Sequence, residues 1–544
     1  MEKESKKKDS WKTQMNWASF GMSSGFLFSF IIACLINRDV TYSIVKVCFD
    51  FVAGYFGGLL QVMLVVFWII VMMIALSKCG KIRIGGKNAK KAVSTFSWYS
   101  IIIMTMTAAG GMFWAGAEPF VHFMSLPAHF PGIQSGTSEA VNYAMAQSFL
   151  HWGVLVWGAS AFCIPLLVYA KEIKNLPMRP SSMLYPVLGE KGVRGVPGKV
   201  LDGLALIGVA AGTVGPTGFI GLQLSFVLHD LWGVPDTVAT QMIVIAVAMV
   251  LFIFSACTGL HKGMDYLAKA TVYLTVVLGA AMMIFGRGLF SVDSFITGYG
   301  IYITDFFKMA FSRADISWVS IWTVFYEAWF LSFGPSMAVL VITLSKGRTL
   351  REVLIGIAVM CPLFTNFWFA ILGSPTIAVE IQNPGVISAA FNNFGVPSVL
   401  FTMLHHIPLS SIWIPIAIAL VALHLVDTGA GVAYSMSTQV TNMDVPYVWV
   451  RAMFCVLLAA VAALLVWIGD DNAMNTLQSF MVIGGLPMLI FYIILIPGVY
   501  KAAKGLYRSK KHRLDPDDDF IEEEPVETVL AAAAEASPAD NQTL

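Results

Sequence analysis

Charge is what this 544-residue chain is short of: Asp, Glu, Lys and Arg make up 12% of it, against about 25% in soluble globular domains. That scarcity excludes an ordinary soluble protein. The two signs nearly cancel, leaving a formal net charge of +1, so no basic surface points to nucleic acid. Paired cysteines are missing too. Cys34, Cys48, Cys79, Cys163, Cys257, Cys361 and Cys455 are scattered with no CxxC spacing, which argues against a disulfide framework or a structural metal site. Most of them lie inside apolar runs and read as small core residues. The polar start, "MEKESKKKDSWKTQMNW", precedes a long apolar span without a small-residue cleavage site. It therefore reads as a retained first helix and not as a cleaved signal.

Apolar residues fill the space that charge leaves. They are 57% of the chain, and the mean hydropathy is +0.74. A bilayer core of ~30 Å takes about 20 apolar residues per helix. Twelve runs qualify, at 17–37, 56–78, 97–118, 140–170, 200–228, 238–258, 264–286, 316–345, 353–373, 409–438, 447–468 and 475–500. The stretch 287–315 is mixed and amphipathic, as an interfacial segment would be, and 374–408 is too polar to span. Lysine and arginine collect in the N-terminal tail and at 78–91, 171–199, 346–351 and 501–513, while the opposite loops at 119–139, 229–237, 374–408 and 469–474 contain none. Cationic loops stay in the cytoplasm, so an even number of spans with both termini inside follows, in a cell inner membrane. The tail from 514 is acidic, then rich in Ala, Pro and Ser, a composition typical of disorder.

Three segments carry chemistry. In the fourth span, Trp152, Trp157 and Ser160 fall within an arc of roughly 140° at about 100° per residue. In "WTVFYEAWFLSF" (322–333), Trp322, Tyr326, Trp329 and Phe333 cluster within about 60°, with Phe330 just beside them. Two such faces suit a cage for a methylated ammonium, each ring contributing ~0.5–2 kcal/mol. Ordinary aromatic helix packing fits the same wheel equally well. The third segment, "ALHLVDTGAGVAYSMST" (422–438), holds His424 and Asp427 inside an apolar span, where ionisable groups are costly and so are functional candidates. Its Gly429–Gly431 stretch would let the helix unwind or pack closely, and 104–119 carries a matching small-residue run. Paired Gly-interrupted spans point to a transporter site at mid-membrane. Glu118, beside Pro119, reads as a backbone cap. No Ser/His/Asp or metal-ligand set falls on a plausible shared face, which counts against an enzyme; no metal or cofactor is expected.

With "MFWAGAEP" (112–119), "HWGVLVW" (151–157), "RPSSMLYPVLGEKGVRG" (179–195), "WTVFYEAWFLSFGP" (322–335) and "LSKGRTLREV" (344–353) in view, the chain resembles the betaine/carnitine/choline transporter family over nearly its whole length. The resemblance implies an all-α membrane protein of twelve transmembrane helices with a LeuT-type fold. A tail at 1–16 and two peripheral helices (17–96) would precede two inverted five-helix repeats, helices 3–7 at 97–286 and 8–12 at 316–500. The segment 287–315 would separate the repeats, and 501–544 would be a cytoplasmic tail. It also implies a cage of Trp152, Trp157, Trp329, Phe330 and Phe333 for a quaternary-ammonium substrate such as betaine, carnitine or choline, moved by alternating access. Family members are often trimers, so a homotrimer is implied.

Departures from the family pattern bear on coupling. Ser160 stands where the family cage has tyrosine, and Phe330 where it has tryptophan. His424 and Leu425 replace the threonine–serine pair of sodium-driven members, and Thr107 falls in a helix-3 run that has lost its Gly-x-Gly-x-Gly pattern. Sodium, a hard cation, wants oxygen ligands. Met337 aligns with the methionine of the sodium-independent carnitine/γ-butyrobetaine exchanger. The expectation is therefore sodium-independent exchange, with proton symport through Glu327 or His424, or an osmosensing receptor, as alternatives. Three roles fit Glu327: pairing with a cationic substrate group, carrying a proton, or bracing a neighbouring helix. His424 divides the same way, between proton carrier, substrate contact and satisfied core histidine.

Overall fold

The computed structural model describes residues 15–509 and His512, apart from 258, 259, 442 and 444; the side chains of 108, 109, 257, 260–269 and 427 are outside the description. Helices dominate, and the strand-like pairing among the described residues is one isolated bridge, Arg83 with Thr349. Lipid offers no hydrogen bonds, so a spanning segment must satisfy its own backbone, and helices do so. Among the described residues, nine helical segments are long and apolar enough to cross a membrane, or eleven when each of two bent pairs is taken as one span. The longest of the nine, Val448–Arg508, itself holds two helices, Val448–Gly469 and Ala473–Arg508, separated by a short turn at Asp470–Asn472. The chain is a multi-pass membrane protein.

Burial separates centre from rim. The most apolar windows of Ala140–Glu172 and Val196–Trp232 are 89% buried, whereas those of Trp17–Ile36 and Val238–Ala256 are 28% and 17% buried. The rim presents Leu35, Ile36, Tyr55, Phe254 and Ile284 outward, the apolar surface expected against acyl chains. The region 287–315 contributes the helix Gly288–Thr304, bent by 100° from Ala270–Phe285. The region 374–408 is helical as well: Cys361–Gln382 runs beyond the expected end at 373, and two short helices, Val386–Phe394 and Val396–His405, follow.

The breaks that shape the centre have local causes. Thr95–Met124 bends by 68° between Thr107 and Gly110. Ala140–His151 and Val154–Glu172 are interrupted at Trp152 and Gly153. Ser410–Thr441 is continuous: of the two outcomes open at Gly429, the structure takes close packing. A Cβ there would lie 2.5 Å from the Phe252 ring. On one face the cationic loops pair: Ile84 N donates to Arg348 O and Gly347 N to Ile84 O. The Arg348 guanidinium lies 4.9 Å from the centre of the Trp98 ring and pairs with Glu352.

Candidate functional site

The bend at 107–110 brings Gly110 against two tryptophans. A Cβ at Gly110 would sit 2.3 Å from Trp329 Cη2 and 3.4 Å from Trp152 Cη2, so the absence of a side chain lets both indoles approach the helix. Trp329 is held at its other end by a bond from Nε1 to Gly212 O at 2.9 Å. That carbonyl is free because its partner four residues on is Pro216, which has no N–H. Around this anchor the rings meet edge to face. Trp152 lies 5.7 Å from Trp329 and 5.6 Å from Phe330, at 87° and 90°. Phe330 lies 5.3 Å from Phe333, and Trp157 is 6.4 Å from Phe330. These separations lie within the range of stabilising aromatic pairs.

The expected cage residues are therefore partly assembled. Trp152, Trp329, Phe330 and Phe333 form one contiguous cluster, and Trp157 joins it through Phe330. Trp157 Nε1 and Ser160 Oγ are both buried and have no hydrogen-bond partner among the described residues. Tyr326 packs on Trp152 at 5.4 Å. Trp322 is placed differently: it meets His122 at 4.7 Å and Trp114 at 5.5 Å edge to face, beyond Tyr326 from the cluster. Phe369, 4.8 Å from Trp152, belongs to the same wall and carried no sequence signal beyond being apolar.

Behind the wall lies a polar centre. Glu118 is fully buried, and its Oε2 accepts from Trp152 Nε1 at 2.8 Å and from Tyr326 OH at 2.5 Å. Its Oε1 lies 2.7 Å from His151 Nδ1 and 3.3 Å from His122 Nε2. Glu118 is thus the hub of three helices and not a local backbone cap. The ligand-type atoms of Glu118, His122 and His151 lie within 4.8 Å of one another, a constellation that reading the faces of single helices does not find. The i, i+4 spacing of Glu118 and His122 was its one legible trace.

Two of the residues weighed for ion coupling meet elsewhere. Thr107 and His424 line a cavity of about 370 Å³ together with Met104, Met112 and Trp368. Met337 is not among its walls, and the Asp427 side chain is outside the described residues. Thr107 Oγ1 donates to Ile103 O at 2.6 Å. Glu327 is 2% exposed, and its Oε2 has no partner among the described residues. Arg313 Nη1 and Val324 both press on Gly57, at 2.9 and 3.0 Å from where its Cβ would lie. The face of the helix that carries Val324 and Glu327 is thus turned to a neighbouring helix.

Comparison with known proteins gives the same direction. The model of the betaine/carnitine/choline family transporters matches residues 18–508. Glycine betaine transporter 2 of Vibrio parahaemolyticus is 37% identical over 89% of this chain and 88% of its own length. A probable glycine betaine transporter of Desulfitobacterium hafniense is 30% identical over 89% and 96%. The osmo-dependent choline transporter BetT2 of Acinetobacter baylyi is 26% identical over 91% and 72%.

Proposed function

The chain belongs to the betaine/carnitine/choline transporter family, and from that premise we propose that it moves a quaternary-ammonium or related methylated compound across the inner membrane by alternating access, without sodium. The observation that carries this reading is the perpendicular contact of Trp152 with Trp329 and Phe330, which sets ring faces at an angle around one point. A methylated ammonium has no N–H to donate and is attracted by such faces without hydrogen bonds. The unpartnered Trp157 Nε1 and Ser160 Oγ add two donors suited to the carboxylate of a zwitterion such as betaine. Twelve spanning helices in two inverted repeats, cytoplasmic termini and a homotrimer complete the architecture we assign.

Exchange is the mode we assign, since each inward trip is then balanced by an outgoing relative of the substrate. Sodium independence is supported by the residue types at 424 and 425, where an imidazole and an aliphatic chain stand and sodium, a hard cation, prefers oxygen ligands. Glu327, on a helix face turned to a neighbouring helix, fits the bracing role better than contact with substrate. The test is uptake of labelled betaine or choline by proteoliposomes preloaded with unlabelled substrate. Equal rates with sodium and with potassium outside are expected. A rate that collapses without a sodium gradient would contradict the proposal.

A further inference from the structure

Outside the cage, the cluster of buried titratable groups is the feature the function leaves unused. A carboxylate only accepts, so when Glu118 is ionised its four neighbours must all donate: Trp152 Nε1–H, Tyr326 O–H, His151 Nδ1–H and His122 Nε2–H. The second nitrogen of His151 supports this assignment. His151 Nε2 lies 2.9 Å from the Gln147 amide nitrogen and 3.1 Å from Thr323 Oγ1; the amide can only donate, so Nε2 accepts and the proton sits on Nδ1. The bonds therefore close with both imidazoles neutral and one net negative charge, buried, with no Lys or Arg bonded to it among the described residues. A buried charge is costly unless it is paired. Two imidazoles stand within reach of an added proton, and His122 Nδ1 is buried without a partner among the described residues.

The same carboxylate grips a cage ring. Trp152 donates to Glu118 from one edge and packs on Trp329 and Phe330, so the charge behind the indole acts on whatever the rings hold. We propose that Glu118, His122 and His151 form a proton-binding site linked to occupancy of the aromatic cage, a positively charged ligand favouring the deprotonated state. The inference rests on the cage reading above. The other titratable groups facing the cluster are Tyr326 from the helix Thr323–Leu344 and His129 from the segment 125–139. His129 Nε2 reaches Gln147 Oε1 at 2.8 Å. Lys308 lies 5.6 Å from the centre of the Phe130 ring, which packs on His129 at 4.5 Å.

Linkage gives the sign. If a cationic ligand prefers the anionic cluster, binding releases a proton wherever the free cluster holds one, and affinity falls as pH falls. One proton allows up to about a tenfold change in affinity per pH unit. Choline is the right probe, because it does not titrate between pH 5 and 8. Its Kd on the purified full chain, measured by calorimetry from pH 8 down to 5.5 in two buffers of different ionisation enthalpy, is expected to rise several-fold, with up to one proton released per choline bound. In Glu118→Gln, which keeps the shape and cannot hold the charge, both the slope and the released proton should vanish. Binding of choline with no proton exchanged and a flat Kd would overturn the proton site, and the unmodified protein alone decides this if the variant does not fold. Wild-type slopes retained in Glu118→Gln would also overturn it. No binding of choline or betaine at any pH would overturn the cage reading, and this inference with it.

Discussion

Trp329→Ala is expected to abolish measurable uptake and to weaken binding of betaine or choline by more than tenfold. The ring supplies ~0.5–2 kcal/mol of attraction for a methylated ammonium, and its loss does not stop there. Trp152 would lose the edge it meets at 5.7 Å, and Gly212 O would lose the donor it has in place of Pro216. A buried carbonyl left without a partner costs about 1–3 kcal/mol. Removing so large a buried side chain costs about 3–5 kcal/mol of stability, so a melting temperature must accompany the binding measurement. Trp329→Phe keeps a ring and loses the indole N–H, and should fall between the two. A folded Trp329→Ala protein with wild-type affinity would refute the cage.

Gly110→Val is expected to be nearly as severe, for a steric reason. Its Cβ would lie 2.3 Å from Trp329 Cη2, well inside van der Waals contact, so either the indole or the bent helix must move. Overpacking of this kind typically costs about 1–3 kcal/mol, here concentrated on the ring that anchors the site. The cause can be separated from a general backbone effect. In a Trp329→Ala background the clash is gone, so Gly110→Val should then add little further loss of stability. Such non-additivity between touching residues typically amounts to about 0.5–3 kcal/mol. Strictly additive melting-temperature losses would place the damage in the backbone and not at the ring.

Much of this was legible in the sequence because lipid leaves so few options. Long apolar runs have to be helices, and each of the twelve runs coincides with helical structure; their ends were less legible, as at Gln382, where the helix continues nine residues past the last apolar-run position expected. The aromatic face of 322–333 was readable from helical spacing: Trp329 and Phe330 do meet Trp152, and Phe333 meets both of them. Trp322 was not separable from them by spacing alone: it shares their face but sits two turns from Trp329, where His122 and Trp114 take its ring. Glu118 was hidden for a different reason. Its four partners come from three helices, with His151 33 and Tyr326 208 residues away along the chain, so no periodicity within one helix announces them. Glu327 drew attention as an acid among aromatics, yet it is Glu118 that touches them.

Comparison of each ligand with a copy of itself that lacks the ammonium charge tests the cage most directly. In 3,3-dimethylbutan-1-ol a carbon replaces the nitrogen of choline, and in 3,3-dimethylbutanoate a carbon replaces that of betaine; shape and apolar surface stay nearly the same while the positive charge is gone. With several rings each contributing ~0.5–2 kcal/mol, the ammonium member of each pair should bind at least tenfold more tightly to the purified protein, and Trp329→Ala should narrow the gap. Equal affinity for the ammonium compound and its carbon copy would contradict an aromatic cage for a methylated ammonium.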